Sequence, residues 1–383
     1  MMKKLIINAL QIYDKDDGMG KYATSIIEIA EKSWFSETDV FYILTNEGRA
    51  KLSHLITNKE RIIDFEYSKY SNPIRKLFME NIVVPRTLSK YKADYYWSLD
   101  GKLPLFGIKN CVRILTIHDL GYIDVPKCYS MVQRLYWSII YRTKARTAEL
   151  VIAISEFTRQ RAIESLKIKP EKIYVIYNFV RESLYDKECF VENNETEDYF
   201  LYYGQIAPRK NITGLLRAYV EYYKKSSSPM NLVLVGKKYE YEELDKFVSE
   251  TNVRELIDNK ISFVGYVNDE QLKNYIIKAK FIVNASLYEG FGMPIIEAFE
   301  FGKAILASNN TAMVEFINNY EKYTFDPYDV QDMTERIKYF SELENHDLKE
   351  IFVDESKYYR EKINKDIIRE NYKELLANVV DIK

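Results

Sequence analysis

Short apolar runs alternate with longer amphipathic stretches along the first half of the chain. Leu5–Leu10, Phe41–Thr45, Ile62–Phe65, Tyr95–Leu99, Arg113–Ile117, Val151–Ile154 and Ile173–Tyr177 read as strands. Tyr22–Lys32 and Ser155–Leu166 carry helical spacing between them. Such alternation predicts a parallel sheet covered on both faces. From Asn178 to Asp198 the chain turns polar and acidic, with Glu192, Glu195 and Glu197, as a linker does. The alternation then resumes. Strands are expected at Phe200–Tyr203, Leu232–Val235, Ile261–Val264, Phe281–Asn284 and Ala304–Ala307. Helices are expected at Thr213–Lys224, Tyr241–Glu250, Asp269–Ala279, Pro294–Phe301 and Val330–Leu343, and Leu348–Val380 is charged and helical. The pattern divides into a first domain at 1–180, a linker at 181–198, a second domain at 199–360 and a C-terminal helix at 361–383, which is expected to cross back to the first. The fold class is α/β: two doubly wound parallel-sheet domains facing across a cleft. Ligands of such sheets sit beyond the carboxyl ends of the strands, so the strand-to-helix turns hold the candidate chemistry.

A length of 383 residues suits two domains of roughly 150–200 residues each. With 47% hydrophobic and 29% charged residues the composition is globular rather than disordered. No run reaches the roughly 20 apolar residues of a membrane span. Met1–Ile7 begins like a signal peptide, but Gln11 and Asp14-Lys15-Asp16-Asp17 follow too soon, and a cytoplasmic location is expected. Cys111, Cys128 and Cys189 lack metal-ligand spacing and form no evident disulfide framework.

The net charge of −2 is unevenly spread. Between Ser68 and Tyr95, Lys69, Arg75, Lys76, Arg86, Lys90 and Lys92 stand against Glu80 and Asp94. Between Lys127 and Thr147, Lys127, Arg134, Arg142, Lys144 and Arg146 meet no acid. Leu77-Phe78-Met79 in one stretch, and Tyr136-Trp137 and Tyr141 in the other, read as exposed apolar companions. Basic residues interleaved with aromatics suit peripheral contact with an anionic membrane. The plainer alternative is a solvated helix face over a buried stripe.

The densest chemistry lies in Ser286-Leu287-Tyr288-Glu289-Gly290-Phe291-Gly292-Met293-Pro294-Ile295-Ile296-Glu297. It follows an expected strand and opens a helix. Pro294 suits a first helical turn, and Gly290 and Gly292 let backbone amides approach a ligand closely. A helix N-terminus attracts anions through its free N–H groups and dipole. Taken singly, each glutamate is an ordinary surface residue and Arg209-Lys210 an ordinary solvated pair.

Two glutamates separated by seven residues around Gly-Phe-Gly-Met-Pro resemble the signature of the retaining glycosyltransferase family 4, whose members have the two-domain, Rossmann-like GT-B fold. Tyr203-Gly204-Gln205-Ile206-Ala207-Pro208-Arg209-Lys210-Asn211 is similar to the family's opening of its second domain. Ile261–Val267, Ala304–Ser308 and Glu315 match in order and spacing. Gly18-Met19-Gly20, Ile117-His118-Asp119-Leu120 and Ala153-Ile154-Ser155-Glu156 fall where the family places loops of its first domain.

The resemblance implies that Arg209 and Lys210 hold the diphosphate of a nucleotide-sugar donor. Phosphoryl oxygens favour charge-assisted bonds, and the leaving group gains negative charge. It implies that Glu297 binds the ribose and Glu289 the sugar. Gly204, Gly290, Phe291, Gly292 and Met293 would complete the donor site. Gly20 would lie in the first strand-to-helix loop near phosphate or acceptor, and His118 near the transferred sugar. The catalytic set so implied is His118, Glu289, Arg209 and Lys210. Two positions depart from the family: Gly204-Gln205 replaces the commoner Gly-Arg, which shifts phosphate binding onto Arg209 and Lys210. Asn178-Phe179 replaces Asn-Gly at the domain boundary, which bears on the hinge.

The activity implied is metal-independent, retaining hexosyl transfer with no cofactor beyond the nucleotide sugar. Asp14-Lys15-Asp16 looks like a metal-binding Asp-x-Asp but reads as a solvated loop. The motif forms resemble bacterial mannosyl- and rhamnosyltransferases of surface-polysaccharide assembly. GDP-mannose is the favoured donor, with a UDP-sugar or dTDP-rhamnose as alternatives, and a glycan or lipid-linked saccharide is the acceptor. No nucleic-acid partner is implied. Competing readings are a silent accessory subunit and a sugar epimerase or phosphorylase of the same fold. A nicotinamide dehydrogenase lacks its full fingerprint, since Ala23 follows Gly18 and Gly20.

Overall fold

The computed structural model describes residues 2–10, 18–32, 38–52, 54–66, 73–101, 103–106, 108–179, 196–317, 319–363 and 365–380. Asp14–Asp17, Lys69, Cys189 and residues 181–195 of the expected linker lie outside the described residues. Met1–Asn178 with Lys365–Lys383 form one compact unit, and Phe179–Asn364 form the other.

Unit 1 is built on seven parallel strands: β1 (Lys3–Asn8), β2 (Thr38–Leu44), β3 (Ile62–Asp64), β4 (Tyr95–Ser98), β5 (Val112–Ile117), β6 (Leu150–Ala153) and β7 (Ile173–Val175). Their order is β3-β2-β1-β4-β5-β6-β7. Every residue of β4, β5 and β6 is buried, because helices cover both faces of a parallel sheet. The chain moves outward from β1 in one direction, then returns and moves outward from β4 in the other. The pair Asn8↔Ser98 sets the carboxyl ends of β1 and β4 side by side, which is where such a sheet opens a crevice.

The helix Lys365–Val380 completes unit 1. Its Tyr372 hydroxyl lies 3.2 Å from that of Tyr22, and its ring lies 5.4 Å from Trp97. Trp97 Nε1 donates to Thr116 Oγ1 at 2.9 Å. The cluster satisfies the polar ends of buried aromatics, as burial requires.

The two basic stretches fold as helices spanning 73–91 and 131–147, each with a central π-turn, Met79–Val83 and Trp137–Tyr141. Of the apolar residues read as exposed, Phe78 is exposed but Leu77, Tyr136 and Trp137 are half-buried, which fits the alternative of a solvated face over a buried stripe. Lys144 is wholly buried and ion-paired with buried Glu80, and Met79 and Tyr141 are buried as well. Glu80, Val84 and Leu88 recur every four residues on one face, as do Tyr141 and Ala145 on the other helix, so each helix hides a stripe. Arg75, Arg86, Lys90, Lys92, Lys127, Arg134 and Arg146 are exposed.

Breaking the buried pair should be costly. Glu80→Gln strands the Lys144 ammonium and should destabilise by about 3–5 kcal/mol. The double change Glu80→Leu with Lys144→Met should recover most of that loss. Urea unfolding tests both; a loss below about 1 kcal/mol in Glu80→Gln would deny the pair this role.

Unit 2 repeats the plan with six parallel strands: β8 (Tyr199–Tyr203), β9 (Asn231–Val235), β10 (Ile261–Gly265), β11 (Ile282–Asn284), β12 (Ile305–Ser308) and β13 (Thr324–Phe325). The order β10-β9-β8-β11-β12-β13 again switches direction, here between β8 and β11. At the carboxyl ends of β8, β9 and β10 stand Gly204, Gly236 and Gly265, with φ of 139°, 148° and 84°. A side chain on Gly236 would overlap the Gly204 carbonyl oxygen, so the two loops meet only because position 236 carries none. The charged, helical segment Leu348–Val380 falls in two helices, Asn345–Lys362 and Lys365–Val380. Extended Ile363, with φ −122° and ψ 93°, breaks them, and they serve different units.

Candidate active site

Two loops meet at the switch point of unit 2. After β8 the chain makes the short turn Pro208–Lys210, closed by Asn211 at a left-handed φ of 56°. Gly214 leaves room for the Asn211 side chain, whose Nδ2 donates to the Pro327 carbonyl at 2.8 Å. After β11, Asn284 Oδ1 accepts from the Ser286 amide at 3.2 Å and turns the chain toward Glu289. The Leu287 amide then donates to the Arg209 carbonyl at 2.9 Å, which ties the loops together.

Their side chains converge on Glu289, which is only 8% exposed. Arg209 donates to its Oε2 at 3.0 Å and to the Tyr288 carbonyl at 2.6 Å, while Lys210 pairs with Oε1. Ser286 Oγ lies 2.7 Å from Oε1, and the Glu289 amide donates to Thr311 Oγ1 at 3.2 Å. Burial alone pushes this carboxyl up, but the charges of Lys210 and Arg209 reverse the effect and hold it at about 2. Two cations against one carboxylate leave the trio one unit positive.

Because the folded value lies below the ordinary 4.5, Glu289 stabilises the fold above that pH. The contribution should disappear as pH falls from about 4.5 to about 2. At about 1.4 kcal/mol per unit it amounts to about 3 kcal/mol. The unfolding free energies of the native chain and Glu289→Gln should therefore differ at pH 6 and converge toward pH 2.5. Parallel curves over that window would refute a paired, ionised Glu289.

The same loop runs on into the helix Met293–Glu300, entered through Gly292 at φ 118° with Pro294 in its first turn. Phe291 is buried with its ring 4.7 Å from Phe316, so this residue faces the core and offers a ligand only backbone. Gly290 is buried and Met293 half-buried. Glu297 is buried one turn in, where the Tyr203 hydroxyl of β8 engages it and also donates to the Pro294 carbonyl at 3.1 Å. Unit 2 thus brings Arg209 and Lys210 onto Glu289, with Gly290, Gly292 and Met293 on the loop and helix start that follow, Phe291 turned to the core, Gly204 at the end of β8 and Glu297 on the helix.

Gly20 and His118 belong to unit 1. Gly20 lies in the first turn of the helix Gly18–Glu31 rather than in a loop, and its carbonyl accepts from Thr24 Oγ1 at 3.0 Å. His118 follows β5; its Nε2 donates to the Leu99 carbonyl at 2.6 Å, so that nitrogen carries the proton. The ring stands edge-on to Tyr22 at 4.8 Å. Asp119 Oδ1 accepts from the Gly121 amide at 3.1 Å and starts the helix Gly121–Asp124.

Sequence reasoning gave no part to Ser286, Asn284, Thr311 or Gly236. A serine three residues before the loop glutamate was a readable hint for the first. The left-handed φ of 58° at Thr311, which sets its hydroxyl on the Glu289 amide, leaves no mark in the sequence. Among the described residues no group of three His, Cys, Asp or Glu side chains is placed to hold a metal ion. Two cations and a helix N-terminus at a switch point are groups whose chemistry suits a phosphorylated ligand.

Residues 43–184 match the family described as Glycosyltransferase Family 4, and residues 186–357 match Glycosyl transferases group 1. The O-antigen chain mannosyltransferase RfbU of Salmonella typhimurium is 27% identical over 232 residues, 60% of this chain and 61% of that one. The chain thus spans about three fifths of the length of this curated relative. Among solved structures, sucrose-phosphate synthase from Thermosynechococcus elongatus superimposes with a TM-score of 0.76 at 17% identity, covering 100% of both chains. Anabaena HepE, solved in complex with UDP and glucose, gives a TM-score of 0.73 at 18% identity, covering 98% of this chain and 100% of that one. Both likenesses concern the fold, which is GT-B.

Proposed function

This chain belongs to glycosyltransferase family 4, and from that premise we propose that it transfers a hexose from a nucleotide sugar to a glycan or lipid-linked acceptor in surface-polysaccharide synthesis. The observation that carries the reading is the Arg209–Lys210–Glu289 cluster at the β8/β11 switch point. Its surplus positive charge suits a diphosphate, and its buried carboxylate fixes both cations before any ligand arrives. GDP-mannose is the donor we favour, in keeping with the mannosyltransferase name of the relative. A UDP-sugar is the second choice, favoured by the ligand of the HepE structure; dTDP-rhamnose is the third.

Transfer proceeds with retention. The acceptor hydroxyl attacks the anomeric carbon from the face the diphosphate leaves, and its proton passes to a phosphate oxygen. Arg209, Lys210 and the amides that open Met293–Glu300 stabilise the departing diphosphate without a divalent metal or other cofactor. Glu297 receives the ribose hydroxyls, Glu289 those of the sugar, and Gly204 and Gly290 to Met293 offer backbone contacts. His118 and Gly20 serve the sugar and acceptor side. The enzyme works in the cytoplasm, at the inner face of the membrane that presents its acceptor. Within the described residues no helix is long and apolar enough to cross that membrane.

A panel of nucleotide sugars, read by thermal shift and by slow release of free nucleotide with and without EDTA, tests the reading. One donor should stabilise the chain and turn over equally in EDTA. If none binds and Lys210→Ala changes nothing, the silent accessory subunit replaces the transferase.

A further inference from the structure

We propose that the helix over 131–147 docks unit 1 on an anionic bilayer by burying Met131, Val132, Leu135 and Ile139 among the lipid chains. The inference deepens the membrane side of the reading above and rests on it for its biological sense, although the geometry stands on unit 1 alone.

These four side chains are 84%, 79%, 62% and 58% exposed. Their positions place them on one face along the first turns of a single helix. Ser130 and Gln133 fix its start, the Gln133 side chain accepting from the Ser130 amide at 2.9 Å. The opposite face is already committed to the core: Trp137 stacks on Tyr122 at 5.7 Å, and Tyr141 and Ala145 are buried. Lone exposed apolar residues are ordinary, but a strip of four unbranched and branched aliphatics on one helix is not. A second apolar group lies on the helix 73–91, where Phe78 and Ile82 are 52% and 37% exposed. Beside it Phe106 is 78% exposed, on a loop held by Leu105, whose amide donates to Asn81 Oδ1 at 2.7 Å. The buried Glu80–Lys144 pair fastens the two helices to each other.

Charge selects the occupant. From Lys127 to Thr147 there is no acidic residue, and Lys127, Arg134 and Arg146 are exposed. A second copy meeting this face about a two-fold axis would set basic residue against basic residue. Anionic headgroups complement the charges, and the acyl region takes the apolar strip, the arrangement of an interfacial amphipathic helix.

Flotation of the full chain with phosphatidylglycerol–phosphatidylcholine vesicles tests the proposal, with phosphatidylcholine vesicles as the comparison. The native chain should float with the anionic vesicles. Raising salt to about 0.5 M should weaken binding a few-fold without abolishing it, since apolar insertion is not screened. Met131→Asp with Leu135→Asp should lower the bound fraction at least tenfold, with an unchanged thermal midpoint and unchanged release of nucleotide from the donor in solution. Arg134→Glu, which leaves the apolar strip intact, should lower it less and mainly at low salt. A native chain that stays unbound, or a double variant that floats as well as the native chain, overturns the proposal. So does a dimer detected by light scattering that the double variant dissolves. Absence of donor turnover in every variant would instead count against the transferase reading and leave docking as measured.

Discussion

Lys210→Ala should reduce donor turnover by about two to three orders of magnitude, with most of the loss in kcat. Charge accumulates on the diphosphate only as the glycosidic bond breaks, so a cation beside it acts more strongly on the transition state than on the bound donor. Lys210 is half-buried and held by Glu289, and therefore needs little reorganisation when that charge appears. Lys210→Arg should restore only part of the rate, because a planar guanidinium cannot occupy the site of a compact ammonium. Arg209→Ala should also reduce the rate, and the double variant should lose less than the two single losses combined, since both cations answer to one carboxylate. Initial rates over a range of donor concentrations separate the outcomes. An unchanged kcat/KM in Lys210→Ala would remove the cluster from the chemistry.

Gly236→Ala should destabilise unit 2 by about 3–5 kcal/mol, the combined effect of a forced backbone shift and a strained φ. Its methyl group would fall on the Gly204 carbonyl oxygen, and its φ of 148° lies where side chains are rarely found. Gly265→Ala isolates the second effect: its φ is 84°, but nothing stands within 4 Å of an added methyl group. That change should cost only about 1–2 kcal/mol. Denaturant unfolding monitored on unit 2 would compare them, and equal losses would show that the overlap has no energetic weight.

Much of the architecture was legible because a parallel sheet writes itself as apolar runs. All twelve expected strands are present to within a few residues, and among the described residues only β13, two residues long, escaped. Helices with mixed faces were harder. In the 73–91 and 131–147 stretches, residues that look alike in sequence divide sharply in space: Lys144 and Met79 are wholly buried while Arg134 and Phe78 are exposed. A π-turn in each helix shifts the phase of the 3.6-residue repeat, so simple periodicity misplaces residues beyond it. At the candidate site, the Glu-Gly-Phe-Gly-Met-Pro run and Arg209-Lys210 named the loops that the fold brings together. Residue type alone could not foresee that Glu289 pairs with both cations, or that Phe291 turns to the core. Those outcomes depend on the pairing of β8 with β11, a long-range fact.

The placement of Lys365–Val380 in unit 1 also orders the birth of the protein. Unit 2 is continuous in the chain, whereas the first unit waits for a segment encoded after it. At about 5–20 residues per second, the ribosome spends roughly ten to forty seconds between the two parts of unit 1. Throughout that interval Trp97 and Tyr22 lack the aromatic partner that Tyr372 supplies. The nascent first unit therefore carries an uncovered aromatic seam until the final helix arrives.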